Sequence, residues 1–412
     1  MRLLIICDRP NPPGYIPRVR YLCNYFVQKG YSVTLLTEGA EIADFISPDV
    51  ELLTFDYLSD RTGLWAKAEW LIKTVINLVT DRKGRVSFTK ACKLLGDRKF
   101  DAVLCSSTFH SFPLTTAAMI ARKKQLPLYV DLRDIVEQTP PDSDNIFRHR
   151  LPSSLGKLVT RYFKKIHIGR RNKALRLAKA VFSVSKWHTD YLKRYNPNVY
   201  TVYNGFDETV FEPLHLMSDK FVLSYFGELT DMCLRYPLIF FEAVRNILSS
   251  NRIGVNCLEI RWFVDTNSKK TIEKVAAEFG IERVMSYKKF VFAADLVEKM
   301  NESSILLIFS NKPYVLDYHG IMTTKFFEYL GTGRPILITP DNDDELSITA
   351  KSISCGLVSS DTADIEAFII DKYNEWRATK YVTSPLTAED RDHFSRRQGA
   401  DLMEKIISAS AI

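Results

Sequence analysis

Strand-like apolar runs alternate with helix-like segments along most of this 412-residue chain, and that alternation leaves few folds open. The first runs are Leu3 to Cys7, Ser32 to Thr37, Val50 to Phe55, Asp101 to Ser106, Leu128 to Leu132, Val181 to Val184 and Tyr200 to Tyr203. The segments between them, such as Arg18 to Lys29 and Thr115 to Lys124, carry apolar residues at helical spacing. A parallel sheet covered on both faces by crossover helices is the economical packing for such a series. Asn204-Gly205-Phe206-Asp207 is a turn signal that closes it, and Glu208 to Lys220 follows with Pro213 and little periodicity. A second series then runs through Phe221 to Phe226, Leu258 to Val264, Ile305 to Phe309 and Ile336 to Thr339.

The expected fold class is therefore α/β, with two Rossmann-like, doubly wound parallel-sheet domains, and the length exceeds what one hydrophobic core usually supports. The reading places an N-terminal domain at residues 1–210, a C-terminal domain at 220–385, and a closing segment at 386–412. The last contains an amphipathic helix from about Ser395 to Ser408, expected to pack back toward the N-terminal domain. Sheets of this kind bind ligands beyond the carboxyl ends of their strands, so a cleft between the two domains is the default active site.

Composition sets outer limits. Hydrophobic residues at 46% and charged residues at 25% are ordinary for a globular chain and exclude a disordered or fibrous one. The seven cysteines lie mostly in apolar runs with no CxxC pair, so they read as reduced core residues rather than disulfides or zinc ligands. The opening Arg2 to Asp8 is too short for a signal peptide and no run approaches a membrane span, so the chain is expected to stay in the cytoplasm.

The net charge of +7 conceals an asymmetry: residues 147–194 hold 14 Lys or Arg and one acid, Asp190, giving +13 against −6 for the remainder. Such a window suits an anionic partner, either acidic lipid headgroups on the inner face of the cell membrane or a lipid-linked phosphate acceptor, or else forms a solvated helix face. Nucleic acid fits least, because aromatic stacking platforms are not interleaved with the charges. Leu64, Trp65, Ala68, Leu71, Ile72, Val75, Ile76 and Val79 form a further apolar stripe at helical spacing. Core packing is the simpler account of it, with a membrane-surface helix as the alternative beside Arg82, Lys83 and Arg85.

The segment from Thr323 to Pro335, TTKFFEYLGTGRP, leads into the apolar run Ile336 to Thr339. Thr323 or Thr324 can cap a short helix, Gly333 can end it in a left-handed conformation, and Pro335 launches a buried strand. The free N–H groups and positive dipole at such a helix start favour an anion, and Lys325 adds a full charge where an acidic side chain is usual. Glu328, one turn on, can accept hydrogen bonds from ribose hydroxyls; a surface ion pair with Lys325 is the plainer alternative.

Several local patterns then coincide, and the chain resembles the glycosyltransferases of the GT-B fold, particularly glycosyltransferase family 4 and its bacterial polysaccharide branch. Pro12 to Arg18 with Gly30-Tyr31-Ser32-Val33 resembles the opening strand, glycine-containing loop and second strand; Val130-Asp131-Leu132-Arg133-Asp134 resembles the acceptor-side loop. Ser224 to Leu229 with Arg235-Tyr236-Pro237 resembles the donor-phosphate loop, and the Lys-x-x-Glu-Tyr-Leu motif at Lys325 is the most specific match. The family often has two glutamates with seven residues between them; Glu328 matches the second, whereas Gly320 stands at the first, with Asp317 or His319 as nearby substitutes.

The resemblance implies two domains facing across a cleft, and transfer of a sugar from a nucleoside diphosphate sugar to a glycan or lipid-linked hydroxyl, with retention, in cell-surface polysaccharide biosynthesis. It implies Arg235, Lys325 and Glu328 as the catalytic set, and Gly14, Tyr15, Gly227, Thr323 and Thr324 on the donor. It further implies Asp131, Arg133 and Asp134 on the acceptor, although Arg133 with either aspartate also reads as a loop ion pair. No metal or other cofactor is expected: Asp142-Ser143-Asp144 and Asp341-Asn342-Asp343 sit in turn-prone loops, where solvated acids are the simpler account. The alternatives are a sugar-nucleotide epimerase and a catalytically silent nucleotide- or glycan-binding protein. No G-x-G-x-x-G follows the first strand, which argues against a dinucleotide oxidoreductase.

Overall fold

In the computed structural model the described residues are 1–8, 17–39, 46–59, 62–108, 111–138, 152–229, 232, 235–289, 293–312 and 320–409. They form two compact units, Met1–Tyr203 with Gly399–Ile412, and Asn204–Gln398.

The first unit contains β1 (Arg2–Cys7), β2 (Ser32–Glu38), β3 (Glu51–Phe55), β4 (Ala102–Ser107), β5 (Leu128–Leu132), β6 (Ala180–Ser183) and β7 (Val199–Thr201). They pair in parallel in the order β3-β2-β1-β4-β5-β6-β7. Alternate residues of β1 serve two cores. Leu4 and Ile6 face Leu114 and Ile120, while Leu3 and Ile5 share a core with Phe26, Met403 and Ile407. The helix Arg396–Ser408 thus contributes to this unit from Gly399 onward, and Tyr31 donates to its Glu404 at 2.7 Å.

The second unit contains β8 (Phe221–Phe226), β9 (Leu258–Phe263), β10 (Met285–Lys288), β11 (Ile305–Phe309), β12 (Ile336–Thr339) and β13 (Gly356–Val358), in the parallel order β10-β9-β8-β11-β12-β13. Trp262, Phe309 and Tyr225 fill its centre, the first two stacked with centroids 5.8 Å apart. In both sheets the chain first winds outward to one side and then restarts on the other. The strand order therefore reverses between β1 and β4 in one unit and between β8 and β11 in the other. Those reversals open a crevice at the carboxyl ends of the strands.

One expectation fails here. The helix Gly63–Thr80 buries none of its residues, and Leu64 and Trp65 are 83% and 73% exposed. Helical spacing identifies the helix but not the direction its apolar face points. The inward side is instead tied by polar groups: Lys73 donates to the Tyr57 carbonyl at 2.6 Å and Tyr57 to Asn77 at 3.0 Å. His167 meets the Asn77 carbonyl at 2.5 Å.

Candidate functional site

The helix Thr324–Thr332 is fixed by its apolar side. Phe326, Phe327, Tyr329 and Leu330 are fully buried, and the Tyr329 hydroxyl accepts the Phe226 N–H at the end of β8 at 3.3 Å. Gly333 closes it at φ +64°, the left-handed geometry its spacing predicts. Thr323 occupies the N-cap position without a side-chain cap bond, and the first turn holds no acid. The positive end of this helix therefore lacks the usual internal anion.

Beside it, an open recess of about 420 Å³ lies at the reversal between β8 and β11, lined by Tyr225, Arg235, Ser310, Asn311, Thr323 and Lys325 among others. The Lys325 ammonium donates to the Tyr225 hydroxyl at 3.1 Å and lies 4.4 Å from that ring's centre. Burial, and secondly the Arg235 guanidinium, push Lys325 down to about 7; Glu328 and Glu228 only partly oppose this. Gly227, at φ +115°, lets the ammonium pass where a Cβ would overlap it. The recess thus sets two cations, one of them desolvated, against a single lining acid among the described residues, Asp344, whose carboxylate accepts the Ser347 N–H, and the balance suits an anion.

Glu328 does not line the recess, and it forms no ion pair with Lys325 among the described residues. Burial pushes its carboxyl up to about 7, with Arg396 and Lys325 pulling the other way. Gly320, where the resemblance offers a glutamate, is buried at φ +63°, a conformation that glycine adopts without strain. Asp317, His319, Gly14, Tyr15 and the Asp142–Asp144 pair lie outside the described residues. Asp341 and Asp343 both pair with Lys351.

In the first unit the three acceptor-side residues separate. Asp131 is fully buried; it accepts from Arg18 through both oxygens at 2.8 and 3.0 Å and from Ser106 at 2.9 Å. The expectation of acceptor contact is corrected for this residue, because its carboxylate is consumed inside the fold. Arg18 also donates to the carbonyls of Val202 and Tyr203, locking the last strand's exit. Arg133, just past β5, pairs with Asp8, just past β1, at 3.2 Å. Asp134 is mostly buried there, and burial raises its pKa.

Sequence reasoning missed Asp8, Thr108, Tyr225, Ser310 and Asn311. Asp8 accepts from Thr108 at 3.2 Å, and the Ser310 hydroxyl is buried without a protein partner in a crevice wall. The usable signal was their place: each sits at or just past the carboxyl end of a strand flanking a reversal.

Similar architecture recurs in solved proteins. Anabaena HepE, crystallised with UDP and glucose, matches with a TM-score of 0.60 at 13% identity over 99% of this chain and 100% of that one. A glycosyltransferase from Rickettsia africae matches at 0.63 and 12% identity, covering 99% and 98% of the two chains. The fold is GT-B. This GT-B architecture also matches a putative UDP-N-acetylglucosamine 2-epimerase from Listeria monocytogenes, with a TM-score of 0.53 at 12% identity over 99% of this chain and 96% of that one. No family model and no curated protein matches the sequence.

Proposed function

We propose that this chain is a glycosyltransferase that moves a sugar from a nucleoside diphosphate sugar to a hydroxyl of a glycan or lipid-linked saccharide, with retained configuration, in cell-surface polysaccharide synthesis. The observation that carries the reading is the pair of cations, Arg235 and Lys325, in one recess beside an uncapped helix start. Charge builds on the departing diphosphate as the glycosidic bond breaks, and fixed cations with free N–H groups stabilise it without reorganisation. Arg235 and Lys325 take that role, with Thr323, Thr324 and Gly227 around the phosphates. Glu328 holds the ribose, and Gly14 and Tyr15 approach the donor. Arg133 and Asp134 orient the acceptor. The leaving group needs no divalent ion in this scheme.

HepE was crystallised with UDP and with UDP-glucose, which makes uridine donors the first to try. The basic segment 147–194 brings the enzyme to an anionic surface on the cytoplasmic side of the membrane. The test is release of nucleoside diphosphate from a panel of donor sugars, with and without saccharide acceptors and chelator. Acceptor-dependent release that survives chelator, giving the donor's own anomer by NMR, supports the reading. Release abolished by chelator overturns metal independence. Turnover without acceptor to an isomeric sugar favours the epimerase suggested by the Listeria likeness, and binding without turnover favours a silent binding protein.

A further inference from the structure

The helix Gly63–Thr80 is inverted relative to an ordinary surface helix. Its polar ties, Lys73 to Tyr57 and Asn77 to Tyr57 and His167, face the protein, and Glu69 is spent on Ser59 and Lys73. Its opposite side carries Leu64, Leu71, Ile72 and Val75, each more than half exposed, at spacings that keep them on one face. Trp65 is also more than half exposed and borders that face. The helix Ser153–Phe163 packs against it and repeats the arrangement: Leu155, Leu158 and Tyr162 form a second exposed stripe, while Gly156, Thr160 and Phe163 are buried.

Exposed apolar stripes on two packed helices are costly in water and imply an occupant. The charges around them indicate which. Lys67, Lys157, Arg161, Lys164 and Lys165 are exposed along the same two helices and their continuation, and the 153–163 helix contains no acid. No described helix is long and apolar enough to cross a membrane, so the element would lie in the plane of a bilayer surface rather than span it. We infer that these two helices form a membrane-docking face. Leu64, Trp65, Leu71 and Val75 insert among lipid chains, while Lys157, Arg161 and Lys165 pair with anionic phospholipid headgroups. The basic charge of the 147–194 segment is thereby joined to an apolar anchor that extends from its own stripe onto the 63–80 helix. This deepens the membrane part of the proposed function and is independent of the donor recess.

The test is cosedimentation of the full chain with vesicles of phosphatidylcholine alone and with about 30% phosphatidylglycerol. Three proteins are compared: the native chain, L71E/V75E, and K157E/R161E. The native chain should bind the anionic vesicles, with blue-shifted tryptophan emission, and each variant should bind at least about tenfold more weakly. Raised salt should weaken native binding. Because all four substituted positions are exposed or solvent-facing, the variants should keep the native melting temperature and any nucleotide-induced rise in it. That control separates failure of docking from failure of the donor site. Three results would overturn the inference: absence of native binding to either vesicle, equal binding by L71E/V75E, or a native dimer that L71E/V75E converts to monomer, which would make a second copy the occupant.

Discussion

Burial pushes the Lys325 ammonium down to about 7 and the Glu328 carboxyl up to about 7, so two groups one helical turn apart change charge near neutrality. The signs follow from linkage. Lys325 has a folded pKa below its ordinary 10.5, so between these values the unfolded chain binds the extra proton and stability rises with pH. Glu328 is the reverse: its folded pKa exceeds the ordinary 4.5, so stability falls as pH rises through that interval. An anion in the recess restores the Lys325 proton. Nucleotide binding at about pH 8 should therefore take up close to one proton, read by calorimetry in buffers of different ionisation heat, and Lys325→Met should abolish the uptake. Uptake unchanged in that variant would place the titrating group elsewhere. Asp131 makes a different prediction. Its buried pairing with Arg18 means that Asp131→Asn should lose about 3–5 kcal/mol in denaturant unfolding, because the guanidinium is left buried without its countercharge. A loss below about 1 kcal/mol would return Asp131 to a binding role.

The 324–332 helix shows how an element is held to its site. A Cβ on Gly331 would come within 2.6 Å of Phe211 and 2.8 Å of Phe206, so the helix packs backbone against side chain there. In a free helix alanine would gain about 1 kcal/mol over glycine. Here overpacking should win, and Gly331→Ala should destabilise by about 1–3 kcal/mol by chemical denaturation. A stabilising effect would mean the contact yields easily. Legibility in sequence differs by element for similar physical reasons. The buried runs such as Ile305 to Phe309 announce themselves because both faces are covered, whereas β10 and β13 were not foreseen. These two edge strands are short and half-exposed, and Met285-Ser286-Tyr287-Lys288 carries no apolar run. The start and the terminal glycine of the 324–332 helix are readable, because local backbone chemistry determines them, whereas the expected side-chain cap is not formed by Thr323. The outward apolar face of the 63–80 helix was not, since periodicity carries no direction. Nor was the partnering of Asp131 with Arg18, which are 113 residues apart in sequence.

On the scale of the whole molecule, two doubly wound units each place polar groups at a strand-order reversal, and among the described residues the second brings two cations together at a helix start. The donor assignment rests on that asymmetry. Melting of the native chain, Lys325→Ala and Arg235→Ala with a panel of nucleoside diphosphates and their sugars tests it most directly. At roughly a hundred times Kd, one base should raise the native midpoint by about 3 °C, and both variants should lose most of the rise. A native chain unmoved by every nucleotide, or variants that respond as fully as the native chain, would contradict the donor site in the recess.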